Sequence, residues 1–248
     1  MIDTHAHLML CEAPLSDLMP RAESAGVVGI VNVATTVATS HQALAQSQTY
    51  PMVYPTVGIH PCSCHDGGDF SDVETLARTG HFVALGETGL DSHWRQDDQE
   101  DQQRLFKQHL ALGRELGLPV IIHNRKTDQE ILDCIQDYPD VKKVFHCFAS
   151  GSPFYEETLS ENHFYSFTGG ITFSKRGKTL AALRKIPLEK IMLETDCPYM
   201  TPQAHQGAPN ESSFLKEIAI KIAEVKDVPV QTVIEETTKT ARSFFGIA

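Results

Sequence analysis

The sequence predicts a (β/α)8 barrel that forms a single domain over residues 1–248. Short apolar, β-rich runs are bounded by turn residues, and most of the gaps between them hold a helical pattern. Alternating strands and helices favour a parallel sheet, and eight such units in a chain of this length are typical of a closed barrel. The predicted strands are Ile2–Thr4, Gly29–Ala34, Val53–Ile59, Phe82–Gly86, Pro119–His123, Lys143–His146, Phe164–Thr168 and Lys190–Leu193.

Three helical patterns have clear boundaries or faces. The spacing of apolar residues predicts a helix over Gln99–Gly117, which Gly117 and Pro119 end. Its apolar stripe consists of Leu105, His109, Leu112 and Leu116. Asn210 is expected to cap a later helix. The apolar face of that helix is Phe214, Ile218, Ile222 and Val225, and a final helix carries Val233, Ala241 and Phe244.

An open, doubly wound sheet is the alternative architecture for alternating strands and helices. Such sheets place a glycine-rich phosphate-binding loop after the first strand. Here His5 and His7 stand at that point instead. The barrel is therefore the favoured fold.

The composition excludes several classes of protein. The net charge of −11 has the wrong sign for a protein that coats nucleic acid, although bound divalent ions can invert the field of an acidic pocket. No apolar run is long enough for a membrane span, and no leader precedes the first strand, so a cytoplasmic protein is expected. The six scattered cysteines are expected to be reduced thiols, and Cys62, Cys64 and His65 lack a second pair at zinc-finger spacing.

Polar residues gather where the predicted strands end. In a closed barrel all strand carboxyl ends open onto one face, which is where barrel enzymes keep their chemistry. Residues far apart in sequence are therefore expected to converge there. The strand-end residues are His5, His7, His60, Glu87, His123, His146 and Asp196.

These residue types predict a metal centre. In the pattern His5-X-His7 both imidazoles lie on the same side of a strand, because side-chain direction alternates. Imidazole and carboxylate ligands suit Zn, Mn, Ni or Fe and suit Mg less well. Four histidines with Glu87 and Asp196 are too many ligands for one tetrahedral ion and suit two ions about 3.5–4 Å apart, with Glu87 as the bridge.

Each residue also has a simpler interpretation. A single histidine at a strand end is more often a hydrogen-bonded structural residue, and Glu87 alone could be a loop acid. Asp196 alone could cap the turn before Pro198. The combined pattern favours the metal centre over these separate explanations.

The ordered motifs resemble the TatD family of metal-dependent deoxyribonucleases, within the amidohydrolase superfamily. The motifs run in order over almost the whole chain: DTHAHL, GIHP, GETGLD, IIHNR, HCF and LETDCPYMTP. The resemblance implies the ligands His5, His7, Glu87, His123, His146 and Asp196. It also implies two divalent ions, of Zn, Mn, Mg or Ni, that activate water for phosphodiester hydrolysis. Asp196 and Glu87 are the implied catalytic residues, and DNA, trimmed from the ends of single strands, is the implied substrate.

The chain departs from the family's pattern after PYMTP. The family typically has His-Arg-Gly-Lys-X-Asn there, whereas this chain has His205-Gln206-Gly207-Ala208-Pro209-Asn210, without either cation. The remaining candidates for substrate contacts are Arg125, His60, His205 and Asp91. Trp94, the only tryptophan, is a candidate for base stacking or for packing. Glu194 is expected to support Asp196 rather than to bind metal.

Three functions follow from this pattern. The first is a monomeric nuclease of TatD type that acts on DNA and has no obligate protein or membrane partner. The second keeps the metal site but acts on a lactone, an amide or a small phosphoester, which the missing cations beside Gly207 favour. The third is a protein that binds metal or a partner without turnover, and the complete ligand set argues against it.

Overall fold

The computed structural model describes residues 1–95 and 97–248. Its strands form one parallel sheet in the sequential order β1 to β8. The strands are β1 Ile2–Ala6, β2 Gly29–Asn32, β3 Val53–Val57, β4 Ala84–Asp91, β5 Val120–Arg125, β6 Lys143–Phe145, β7 His163–Phe167 and β8 Ile191–Leu193.

Helices alternate with these strands, as the sequence predicts. None of the helices in the described ranges combines the length and the apolarity that crossing a bilayer requires. The helices are α1 Leu15–Ser24, α2 Val37–Thr49, α3 Phe70–Ala77, α4 Gln99–Leu116, α5 Asp128–Ile135, α6 Ser152–Glu157, α7 Lys178–Lys185, α8 Leu215–Lys226 and α9 Val230–Phe245.

The first strand also bonds to the segment that follows the last strand. The Asp196 N–H donates to the His5 carbonyl at 2.8 Å, and the His7 N–H donates to the Cys197 carbonyl at 2.8 Å. A parallel bridge between Ala6 and Cys197 continues this pairing. Sequential strand order together with this seam confirms the (β/α)8 barrel and excludes the doubly wound sheet, whose strand order is not sequential.

The chain forms two compact units. The first comprises Met1–Asn32, Cys147–Glu156 and Tyr165–Ala248, and the second comprises Val33–His146 and Glu157–Phe164. Within the first unit β1 pairs with β2 and β7 pairs with β8. Within the second, β3 to β6 pair in order. The single domain over residues 1–248 stays a prediction.

Three strands extend further than the sequence indicates, and the first of them, β1, continues to Ala6 rather than ending at Thr4. The pattern predicts that β4 ends at Gly86, but it continues to Asp91, so Glu87 lies inside the strand rather than after it. β5 likewise continues past His123, and Arg125 pairs with Asp91. The apolar run stops before the strands do, because mutual pairing of β4 and β5 holds their polar ends in extended conformation.

The predicted cap at Asn210 is wrong. Helix α8 begins at Leu215, after a short 3-10 turn over Ser212–Phe214. The Asn210 side-chain amide donates instead to the carbonyls of Thr195, at 2.8 Å, and Tyr199. Asn210 therefore fastens the segment after β8 rather than a helix end.

Helix α4 contains a fully buried histidine in its apolar stripe. His109 Nδ1–H donates to the Leu105 carbonyl at 2.8 Å, and Nε2 accepts from the Ile59 N–H at 3.3 Å. This pairing requires the neutral ring. Burial lowers the pKa of His109 to about 4. Gly117 ends the helix in left-handed conformation with φ 67°, as predicted.

Acidification is expected to destabilise the protein through His109. Its folded-state pKa of about 4 lies below the unfolded value of about 6.5, so the unfolded state binds the proton first as the pH falls. Between pH 7 and pH 5 this residue alone is expected to cost roughly 2 kcal/mol of unfolding free energy. Urea titrations at both pH values would measure the loss, which should be smaller in His109→Gln.

The exposed His41 provides the control. His41→Gln is expected to lose as much stability on acidification as the unsubstituted protein. Equal losses in His109→Gln and the unsubstituted protein would contradict the account of His109.

Candidate metal centre

Two imidazoles and a carboxylate converge at the end of β1. We call His5, His7 and Asp196 the β1 cluster. His5 Nε2 and His7 Nε2 lie 3.2 Å apart, and Asp196 Oδ1 lies 3.4 Å from His7 Nε2 and 3.8 Å from His5 Nε2. All three residues are buried. The alternation of the strand thus aims both rings to one side, as the His-X-His pattern predicts.

The backbone holds Asp196 against β1. Asp196 has φ 57°, a left-handed conformation that aspartate tolerates better than most residues. Its N–H bonds to the His5 carbonyl, so the carboxylate cannot move away from the two imidazoles without breaking the seam. The sequence places Asp196 after the eighth strand, and the structure agrees.

A buried carboxylate that the sequence interpretation missed fixes this segment. Asp3 accepts hydrogen bonds from the Thr195 N–H at 2.9 Å, the Thr195 hydroxyl at 2.6 Å and the Ser212 hydroxyl at 2.7 Å. Burial raises the pKa of Asp3 to about 6, against the lowering effect of these hydrogen bonds. Asp3 ties β1 to the residue that precedes Asp196. An acid inside a predicted strand was the available signal.

Glu194 has both of its carboxylate oxygens hydrogen-bonded within the first unit. One accepts from the Ser166 hydroxyl at 2.6 Å, and the other accepts from the Cys147 N–H. Cys147 follows His146 in the chain and has φ 44°, which is a strained conformation for a non-glycine residue. These bonds suit the predicted supporting role of Glu194.

In the second unit, histidine side chains converge on one carboxylate oxygen. We call Glu87, His123, His146 and His60 the Glu87 cluster. Glu87 Oε1 lies 2.7 Å from His146 Nε2, 2.8 Å from His123 Nδ1 and 3.6 Å from His60 Nε2. His123 Nδ1 and His146 Nε2 are 3.3 Å apart. The candidate ligand atoms of Glu87, His60 and His123 all lie within 4.8 Å of one another.

Asp91 sets the orientation of His123. The His123 Nε2–H donates to Asp91 Oδ2 at 2.9 Å, which leaves Nδ1 facing Glu87 and His146. Asp91 Oδ1 accepts from the N–H groups of His93 and Trp94, both at 2.8 Å. A histidine ligand typically donates its second ring N–H to a carboxylate in this way.

Electrostatics keep these carboxylates ionised. Burial raises the pKa of Glu87, but the neighbouring His146, His60 and His123 outweigh it and hold this pKa well below the usual range. Burial also raises the pKa of Asp91, but hydrogen bonds, led by that of His123, bring it down to about 2. Burial lowers the pKa of His123, but the carboxylates of Asp91 and Glu87 raise it by more, so the pKa of His123 lies above its usual value.

The donor chemistry of both clusters fits divalent transition ions. Each cluster aims imidazole nitrogens and a carboxylate oxygen at a common point. A single proton can lie between only two of these atoms, so the remaining ring nitrogens would be left without a partner. A divalent metal ion, by contrast, can accept lone pairs from all of them at once. His60 differs from the others, because its Nδ1 accepts from the Cys62 N–H at 3.1 Å and its neutral ring therefore carries the proton on Nε2.

The four predicted substrate-contact residues occupy different environments. Arg125 lies at the exposed end of β5, with its guanidinium 5.9 Å from the ring of Trp94, which is 70% exposed. His205 stacks on Phe214 at 3.7 Å between ring centroids. His60 belongs to the Glu87 cluster and faces the Glu87 carboxylate. Asp91 lies beside the cluster and accepts the hydrogen bond of His123.

The cysteine-rich segment after β3 forms a separate group. Cys64 Sγ donates to Asp98 Oδ2 at 3.4 Å, and His65 Nε2 lies 3.9 Å from the same oxygen. Burial, with a further contribution from Asp98, raises the pKa of Cys64 to about 12. The protonated thiol is therefore strongly favoured at neutral pH, and it is a poor metal ligand compared with a thiolate.

Comparison with known proteins gives a consistent set of relatives. The family model described as "TatD related DNase" matches residues 2–246. "Uncharacterized metal-dependent hydrolase YabD" of Bacillus subtilis is 32% identical over 253 residues, covering 100% of this chain and 99% of the relative. "3'-5' ssDNA/RNA exonuclease TatD" of Erwinia tasmaniensis is 32% identical, covering 93% of each chain. The crystal structure of YJJV, a TatD homologue from Escherichia coli, superposes with a TM-score of 0.92 at 27% identity, covering 100% of this chain and 98% of that chain.

Removing the carboxylate behind His123 is expected to weaken metal binding without removing a ligand. In Asp91→Asn the acceptor for the His123 Nε2–H is weaker, and the ring loses its fixed orientation. Affinity for Mn²⁺ or Zn²⁺ is expected to fall roughly 10- to 100-fold. Calorimetric titration of chelator-stripped protein would measure this change.

Asp137→Asn, at an exposed position, is the matched control and is expected to leave the affinity unchanged. Metal affinity in Asp91→Asn within twofold of the control would rule out the orienting role of Asp91.

Proposed function

Because the chain belongs to the TatD family of metal-dependent hydrolases, we propose that it hydrolyses phosphodiester bonds of single-stranded DNA from the strand end. The proposal includes two divalent ions held by the β1 cluster and the Glu87 cluster. Barrel enzymes keep their functional residues at the carboxyl ends of the strands, which supports a functional role for each cluster. A relative of 32% identity carries the name of a 3'-5' ssDNA/RNA exonuclease, which supports the substrate class.

The observation that carries the proposal is the arrangement around Glu87 Oε1. Three histidines of the second unit face this single oxygen, and one of them is fixed by a carboxylate behind it. Structural histidines are usually satisfied one by one with backbone or solvent, whereas this grouping supplies several lone pairs to one point. We assign His123 Nδ1, His146 Nε2 and Glu87 as ligands and His60 as an orienting residue.

Asp196 is proposed to accept the proton of the attacking water. Its Oδ1 faces His7 and His5, and its backbone is fixed by the seam, so the carboxylate holds one orientation through the reaction. Bound divalent ions would supply a lowered pKa for that water and neutralise charge on the phosphate oxygens. His5 and His7 would be the imidazole ligands of the ion at the β1 cluster. Asp3 accepts a hydrogen bond from the Thr195 hydroxyl and so fixes the residue before Asp196.

One observation favours a second candidate function. The segment that carries the family's two cations lacks them here, and His205 in that segment is stacked on Phe214 with Nε2 3.8 Å from Glu217. This segment therefore offers no lysine or arginine to a phosphate. The same metal centre acting on a lactone, an amide or a small phosphoester is therefore the alternative.

Cytoplasmic location and a monomeric state stay predictions. Both rest on the sequence alone.

Cleavage of an end-labelled single-stranded oligonucleotide tests the proposal. The chelated protein is expected to be inactive, and restored Mg²⁺, Mn²⁺ or Zn²⁺ is expected to produce shortening from one end. His123→Ala and Asp196→Asn are each expected to reduce the rate at least about 100-fold, because each removes a proposed ligand.

His41→Ala removes an exposed imidazole on α2 and serves as the control, with an unchanged rate expected. A panel of lactones and small phosphoesters is assayed in parallel. Intact oligonucleotide together with metal-dependent, His123-dependent turnover of a lactone would replace the nuclease with the alternative.

A further inference from the structure

A basic segment stands out in this acidic chain. Residues 162–188 contain no aspartate or glutamate, although the chain as a whole has 32 acids against 21 lysines and arginines. Three of the cations of this segment lie close together in sequence where the loop after β7 meets the first residue of α7. We call Lys175, Arg176 and Lys178 the cation loop. The local charge is therefore opposite in sign to that of the whole protein.

The cations of this loop have no carboxylate partner among the described residues. Several arginines outside this segment pair with close carboxylates. Arg21 pairs with Glu211 at 2.6 Å, and Arg114 pairs with Asp140 at 2.8 Å. Arg78 pairs with Glu115 at 2.6 Å. Unpaired like charges repel one another, so clustering them costs free energy that a bound anion would recover.

The loop borders a cavity of about 370 Å³ in the first unit. Its lining includes Arg176, Gly177 and Lys178, and also Cys147, Thr168 and Met200. The Cys147 thiol and the Thr168 hydroxyl are 3.5 Å apart at this cavity. Hydroxyl, thiol and two cations are donors suited to phosphate oxygens.

The cavity is coupled to the segment that begins at Asp196. The Gln203 N–H donates to the Thr172 hydroxyl at 2.8 Å, which joins this segment to the β7–α7 connection. Gly169 approaches the same segment so closely that an added Cβ would lie 2.2 Å from the Met200 carbonyl oxygen. Met200 lines the cavity and stands four residues after Asp196. The cavity is thus lined in part by the segment that begins at the proposed proton acceptor.

Two exposed aromatic rings accompany the cation loop. One precedes the loop in sequence, and the other lies in the segment that follows Asp196. Phe173 is 46% exposed, and Tyr199, next to Met200, is 56% exposed with its ring 6.2 Å from that of His7. Aromatic faces and unpaired cations together are the surface that binds single strands without sequence preference.

We propose that the cation loop and its cavity form a phosphate-binding subsite for a neighbouring phosphodiester of a single-stranded nucleic acid. The subsite supplies the cations that the segment around Gly207 lacks. Arg176 and Lys178 contact the phosphate oxygens, and Phe173 and Tyr199 offer faces to adjacent bases. This inference rests on the proposed nuclease function.

Binding of a strand that resists hydrolysis tests the subsite apart from catalysis. A fluorescent phosphorothioate oligonucleotide is titrated with the metal-loaded, full-length protein at several salt concentrations. Arg176→Gln combined with Lys178→Gln is expected to weaken binding at least about fivefold at low salt. The slope of log affinity against log salt is expected to shrink by about 0.7, because the subsite contacts one phosphodiester and each single-strand phosphate contact contributes about 0.7. KM for the cleavable strand should rise with kcat unchanged.

Lys107→Gln combined with Lys142→Gln removes two exposed cations of the second unit and is the charge-matched control. Affinity and salt slope equal in the two double variants would overturn the subsite. Inorganic phosphate is tested as a competitor in parallel. Phosphate binding that depends on Arg176, with strand binding unaffected by the substitution, would also overturn it. Strand binding that depends on Arg176 in a protein that cleaves no DNA would support the subsite and reject the nuclease.

Discussion

The hydrogen-bonded seam between β1 and the segment after β8 is the constraint on which the candidate centre depends. Two main-chain bonds, from Asp196 to His5 and from His7 to Cys197, join the beginning of the fold to its end. The same bonds place a carboxylate beside two imidazoles. Asp3 reinforces the seam from within the core, where its four hydrogen bonds offset the cost of burying a carboxylate. The hydrogen bonds that join β1 to the segment after β8 therefore also position the candidate ligands His5, His7 and Asp196.

Charge balance explains how so many titratable groups share a buried region. In the second unit the Glu87 carboxylate is stabilised by three facing imidazoles, and Asp91 fixes the proton of His123 on the ring nitrogen that faces away from Glu87. Such an arrangement costs desolvation free energy that hydrophobic residues would not cost. A fold retains it where the electrostatics serve chemistry, which is consistent with membership of a family of metal-dependent hydrolases.

The order of the strands and most of the candidate ligands could be predicted from the sequence. Apolar runs that alternate with helical patterns mark the strands, and polar residues mark the strand ends. The alternation around His5 and His7 indicated that both rings share a side, and the structure agrees. Strand ends at β4 and β5 could not be predicted, since the pairing of Asp91 with Arg125, and not hydrophobicity, keeps them extended. Asp3 escaped notice because its partners Thr195 and Ser212 lie 192 and 209 residues away. Asn210 satisfied a helix-cap pattern, but its amide binds carbonyls of the preceding segment.

Metal counting is the most direct test of the central claim, which is that the β1 cluster and the Glu87 cluster each hold a divalent ion. Elemental analysis of protein dialysed against trace Mn²⁺ or Zn²⁺ should give about two ions per chain. His5→Ala with His7→Ala should leave about one, and His123→Ala with His146→Ala should likewise leave about one. A single ion in the unsubstituted protein, or a count that neither pair of substitutions lowers, would contradict the account.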